Sequence, residues 1–160
     1  MSHSIIIPGR PVRWQRAKEV RLKSGGTRKF TDPECERHKA RVRGLCREAW
    51  RLKKPYTGPV VLGLRFVFEI PVSWPGYTRR AALEGRVFYI ADPDLDQLVK
   101  QVMDALKGLA YVDDNQVVGF SHCAKRYGDP ERTEIELSPV KIDEDAVTPG
   151  QRRLEAKVYG

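Results

Sequence analysis

Apolar residues recur at Leu95, Leu98, Val99, Val102, Met103 and Leu106, the i, i+3, i+4, i+7 rhythm that lays one continuous stripe along a helix. On a neighbouring face Asp96, Lys100 and Asp104 fall one turn apart, and Gly108 can end the helix. A second helical rhythm, Val42, Leu45, Cys46, Ala49 and Leu52, follows Thr31-Asp32-Pro33-Glu34, where an Asp cap ahead of a first-turn proline marks a helix start. Its outer face is basic, with Arg37, Lys39, Arg41, Arg43, Arg47 and Arg51.

Other segments follow the two-residue period of strands. Residues 4–8 read as a short strand, because three consecutive isoleucines are β-branched and Pro8-Gly9 closes the run. Residues 60–70 alternate as a central strand does, and residues 116–127 and 132–137 read as two partner strands joined by a Gly128-Asp129-Pro130 turn. Residues 71–90 form a long connection holding Trp74, Tyr77, Arg79, Arg80, Arg86, Phe88 and Tyr89, a mixture that either contacts nucleic acid or pins the loop to the core. From residue 139 onward the chain is mostly charged, with a Thr148-Pro149-Gly150 break and room for a short helix around Leu154.

Charge narrows the function. The 160-residue chain holds 29 Lys plus Arg against 21 Asp plus Glu, a net +8, which is the footprint of a nucleic-acid binder. From residue 9 to 31 the charge is nearly all positive: Arg10, Arg13, Arg16, Lys18, Arg21, Lys23, Arg28 and Lys29 are opposed by Glu19 alone. Ser24-Gly25-Gly26 supplies a turn, so this stretch predicts a hairpin arm, either a solvated loop or a DNA contact. Three cysteines without CxxC spacing indicate neither a disulfide framework nor a zinc ribbon. The opening apolar run is too short for a signal peptide and no stretch reaches membrane-spanning length, so a cytoplasmic, single-domain protein is the expectation.

Against this basic background Asp92, Asp94 and Asp96 stand at alternate positions, and Asp113-Asp114 follows. Two carboxylates about 4 Å apart repel by roughly 1 kcal/mol in water and roughly 4 kcal/mol at a protein surface, so a converging set asks for a cation. A calcium loop is excluded, since its glycine and glutamate positions hold Gln97 and Met103. For Asp94 a capping box with Gln97 is a competing structural reading. An acidic metal centre inside a basic protein suggests phosphodiester chemistry.

The runs Asp92-Pro93-Asp94-Leu95-Asp96-Gln97-Leu98-Val99-Lys100, Met103-Asp104-Ala105-Leu106-Lys107-Gly108 and Val112-Asp113-Asp114-Asn115-Gln116-Val117 together resemble the signature of RusA-type Holliday junction resolvases. The resemblance implies an α/β (mixed α+β) fold, a small mixed sheet packed by two main helices, acting as a homodimer. It implies a Mg2+-dependent endonuclease, with Mn2+ as an alternative ion, that cuts four-way DNA junctions symmetrically and leaves ligatable ends, in the cytoplasm of a bacterium or of a phage host. Asp94, Asp96 and Asp114 take the metal-ligand positions and Lys100 the catalytic lysine position; Gln97, where the family usually has asparagine, and Asp113 are supporting residues. Arg10, Arg13, Arg16, Arg21, Lys29, Arg79 and Arg80 are the candidate DNA contacts. The endonuclease domain is expected over residues 1–138, and residues 139–160 as a loosely held tail. A less selective flap or fork nuclease and a non-catalytic DNA-binding module are the alternatives.

Overall fold

The computed structural model describes residues 1–160 and runs β1 (His3–Pro8), β2 (Lys18–Arg21), β3 (Thr27–Phe30), α1 (Pro33–Trp50), β4 (Val60–Glu69), α2 (Gly76–Leu83), α3 (Leu95–Leu106), β5 (Val117–Gly128), β6 (Arg132–Pro139) and α4 (Pro149–Tyr159). Single 3-10 turns lie at Asp114–Gln116 and Glu144–Ala146. β4 is the axis of the fold. Its Val60, Leu62, Leu64, Phe66 and Phe68 are each at most 1% exposed and face the helices, while Arg65 turns to the opposite face and pairs with Glu134 directly across the strand boundary at 3.2 Å. α1 and α3 pack on the apolar side through Val42, Cys46, Leu98, Val102, Ala105 and Leu106.

The sheet order is β1-β6-β4-β5, with β5 parallel to β4 and β6 antiparallel to both β4 and β1. Residues 116–127 and 132–137 therefore do form strands, but they are not partners of one another. β4 lies between them. The three residues joining β5 to β6 can span about 13 Å when extended, more than the roughly 9.6 Å across two strand spacings, so the turn steps over the end of β4. The arrangement covers both edges of the most apolar strand.

Two further expectations change. The connection over residues 71–90 contains α2, whose Ala81 and Ala82 are buried, and its aromatics divide: Tyr89 stacks on Phe68 at 4.0 Å, and Trp74 and Tyr89 approach Tyr127 at 5.0 and 5.1 Å, whereas Tyr77 and Phe88 are exposed. In α1 the Asp32 cap forms as expected, accepting from the Glu34 and Cys35 N–H groups. Ala49, however, is exposed and Leu52 lies past the helix end. Trp50 takes that place in the core and donates its indole N–H to Ser4 O at 3.1 Å.

β2 and β3 pair antiparallel as the predicted arm, closed by Leu22 N–H donating to Gly26 O and by Gly25 at φ 93°, and all eight strand residues are exposed. The tail carries α4, capped by Thr148 and held to the body by Lys54, which donates to Val158 O and lies over the Tyr159 ring. No helix is long and apolar enough to cross a membrane.

Between α1 and α3 the buried Gln101 donates to Cys35 O at 2.9 Å and faces His38 Nδ1 at 3.3 Å. Burial, and then the nearby Arg41 charge, depress the His38 imidazole to about 4. Unfolded, it titrates near 6.5, so between these values the unfolded chain binds a proton that the folded chain refuses, and stability falls as pH falls through that window. Denaturant titrations should show a loss on the order of 1–2 kcal/mol from about pH 6.5 to 4, largely removed in His38→Asn. An identical slope in that variant would contradict the assignment.

Candidate functional site

The rotation of α3 decides which polar side chains reach the surface together. With Leu98, Val102, Ala105 and Leu106 at no more than 1% exposure against the sheet, the row Asp96, Lys100 and Asp104 lies at the rim of the packed face. The helix is fixed lengthwise as well. At its C-terminal end Arg43 donates to the carbonyls of Ala105 and Lys107 at 2.9 and 2.6 Å, and Tyr111 donates to Met103 O at 2.8 Å. Burial, then the Asp114 and Asp104 charges, raise the Tyr111 pKa, so it stays a neutral donor. At the other end Lys125 donates to the carbonyls of Ala91 and Pro93, both at 3.0 Å, and Tyr89 donates to Asp92 O at 2.7 Å.

Asp114 arrives from the 3-10 turn that leads into β5. That turn is held by Gln116, which is buried: its Oε1 accepts from the Val112 and Asp113 N–H groups, and its Nε2 donates to the carbonyls of Tyr56 and Gly58. Asp113 accepts from Asn115 N–H and completes a capping box with Gln116. Its carboxyl pKa is lowered, first by that backbone hydrogen bond, then by the Asp114 side chain and Lys107. The neighbouring Asp114 is free of this capping duty and is ion-paired with the Lys107 ammonium at 3.9 Å.

Asp96, Lys100 and Asp114 line one open concavity of about 600 Å³, with Asp104 beside them and Val99, Met103, Phe120 and Cys123 among its apolar walls. Asp94 does not line it. It is the exposed residue at the N-cap of α3, and its side chain makes no capping bond, so the Asp94–Gln97 capping box is not formed. The two Asp-x-x-Gln segments thus differ: the one at Asp113 is used to build a turn, and the one at Asp94 leaves its carboxylate uncommitted. Gln97 contributes through its backbone carbonyl, which accepts from Trp14 N–H at 3.0 Å.

The donors around the concavity suit a hard divalent cation in kind, being carboxylate oxygens. Cys123 is the one sulfur present, and burial raises its thiol pKa, which keeps it a poor ligand. No group of three Asp, Glu, His or Cys side chains converges to metal-ligand spacing. Asp104 is ion-paired with Lys39 at 3.8 Å, whereas neither Asp94 nor Asp96 has an ion-pair partner.

The basic candidates divide by location. Arg10 and Arg13 border a hollow that also includes Asp92 and Pro93, with Arg10 paired to Glu131 at 3.6 Å; Arg16 shares another with Trp14 and Lys29. Arg21 and Lys29 lie on the exposed hairpin, Lys29 paired with Glu19 at 3.5 Å. Arg79 and Arg80 belong to α2, where Arg79 donates to Pro71 O, and neither lines the acidic concavity.

Sequence reasoning did not anticipate Lys125 and Gln116 as supports. Gln116 stands just ahead of the Val117-Val118 pair and Lys125 near the C-terminal end of β5, positions at which a polar side chain carries no specific signal. Trp14 was missed entirely. It sits over α3 with its ring centroid 4.5 Å from Lys100 Nζ, a contact between distant parts of the chain.

Comparison with known proteins completes the assignment. The Bacillus subtilis (strain 168) uncharacterized protein YqaN is 35% identical over 86 residues, which is 52% of this chain and 60% of YqaN, so the match spans less than two thirds of that relative. The family model described as endodeoxyribonuclease RusA matches residues 8–138. Because that match takes in the central strands, both main helices and every residue around the acidic concavity, the chain belongs to the RusA endodeoxyribonuclease family.

Proposed function

We propose that this chain is a Mg2+-dependent endodeoxyribonuclease that resolves four-way DNA junctions by paired, symmetric cuts. The observation that carries the reading is the meeting of Asp96, Lys100 and Asp114 in one concavity of a basic protein of the RusA family. Asp96 and Asp114 would hold the cation from within the concavity, and Asp94, which lies outside that lining, would join them only by turning its free carboxylate inward from the helix start. Bound there, Mg2+ or Mn2+ supplies Lewis-acid stabilisation of the phosphate and an activated water for in-line displacement.

The residues of the chain supply the rest. Lys100 carries an ammonium without a carboxylate partner within 4.0 Å and can offset the negative charge that builds on the scissile phosphate. Gln116 and Lys125 keep the two acidic segments in place through backbone carbonyl and N–H contacts. The exposed hairpin and the basic face of α1 can hold phosphate backbones.

A labelled four-way junction incubated with Mg2+ and with EDTA tests the reaction directly; equal cutting in both would remove the metal part. Equal cutting of junction, flap, fork and duplex would remove the junction selectivity. Asp96→Asn and Asp114→Asn keep shape and lose charge, so each should still bind the junction but cut it roughly 10²-fold or more slowly, as should Lys100→Ala. Near-normal cleavage by a folded Asp variant would take that residue out of the site.

Salt reports on the arm. Six to ten phosphate contacts would weaken binding by about 10³ to 10⁵ between roughly 50 and 200 mM salt, and replacing Arg13, Arg16 and Arg21 with alanine should flatten the log–log slope by roughly 0.9 for each arginine that contacts a phosphate. An unchanged slope would leave the arm a solvated hairpin.

Two opposed cuts in a two-fold symmetric junction call for two copies of a chain with one acidic concavity. Light scattering should give about twice the 18.3 kDa chain mass. A heterodimer of wild type with Asp96→Asn should nick one strand without completing resolution. Both cuts made in one binding event by a strict monomer would contradict the dimer.

A further inference from the structure

On α3, Lys100 has an aspartate one turn before it and another one turn after it, Asp96 and Asp104. An acidic residue four positions ahead of a lysine is the favoured orientation for a helical ion pair. Neither pair forms. Asp104 is taken by Lys39 at 3.8 Å, Asp96 has no ion-pair partner, and the Lys100 ammonium lies over the indole face of Trp14, 4.5 Å from its centroid.

The indole is not carried on a free segment. Trp14 N–H donates to Gln97 O on α3 at 3.0 Å, the preceding carbonyl of Arg13 accepts from the Cys35 thiol on α1 at 3.0 Å, and Pro11 is buried. The backbone that carries the ring is therefore fixed to both main helices, one turn from the lysine that the ring covers. An aromatic face attracts an ammonium but brings no opposite charge, so a lysine held there keeps its full positive charge for another group.

We propose that Trp14 is a positioning residue for Lys100. By holding the ammonium on its ring, it keeps Lys100 from collapsing onto Asp96, which leaves the lysine charge available to the phosphate and the Asp96 carboxylate available to the cation. The inference rests on the reading of Lys100 as the charge-stabilising group.

Nuclear magnetic resonance tests the contact without any reaction. In the wild-type protein the Cε protons of Lys100, assigned by their absence in Lys100→Ala, should be shifted upfield by the indole ring current, should lose that shift in Trp14→Ala and should keep part of it in Trp14→Phe. In single-turnover cleavage Trp14→Ala should be about threefold to tenfold slower with junction affinity unchanged, and Trp14→Phe should recover most of the rate. Unshifted Lys100 protons in the folded wild type would overturn the inference, and that spectrum requires no variant to fold. So would a Trp14→Ala defect confined to weaker junction binding, which would make the ring a DNA contact. If Lys100→Ala cuts normally, the role given to Lys100 fails; if Lys100→Ala is inactive and Trp14→Ala cuts at the wild-type rate, the role given to Trp14 alone fails.

Discussion

Burial of Leu98, Val102, Ala105 and Leu106 beneath β4 fixes the rotation of α3 about its own axis, and the direction of its acidic and basic residues follows from that. A fully buried leucine or valine stabilises by about 1.5–3 kcal/mol, so turning the helix far enough to send Asp96 elsewhere would expose several such side chains at once. Apolar contact sets the geometry of polar chemistry here. Arg43 and Tyr111 at one end of the helix, and Lys125 just ahead of the other, hold it lengthwise through backbone carbonyls.

Two buried glutamines do for the connections what the apolar stripe does for the helix. Gln116 satisfies two N–H groups and two carbonyls and so shapes the turn that delivers Asp114. Gln101 joins α1 to α3 less completely, since its Nε2 is bonded and its Oε1 has no partner. A buried amide with an unused acceptor costs stability, which makes the first glutamine a strong fastener and the second a weaker one.

Much of the fold was legible because its signals are local. The stripe of α3, the alternation of β4 and the glycine turn of the arm are periodicities read within a single segment, and all three formed. The placement of β6 beyond β4 could not be read that way, because a strand's own pattern does not name its neighbour. α2 escaped because its eight residues are too short for a stripe and its arginines and aromatics resemble loop composition. At the site, helical spacing put Asp96, Lys100 and Asp104 on one row, but only the packed structure separates Asp94 from the concavity, commits Asp113 to a cap and brings Trp14 across to α3.

The tethers at Arg13 and Trp14 also define how the cationic hairpin can move. Since the root of the arm is stitched to both main helices, any pivot must lie between residue 15 and the start of β2 rather than at the end of β1. Beyond it the four-residue strands extend about 13 Å, a length over which duplex DNA presents roughly eight charges. Docking an arm so tethered against a phosphate ladder would forfeit less conformational entropy than immobilising an untethered tail of equal charge, so its lysines and arginines would act from nearly prepaid positions.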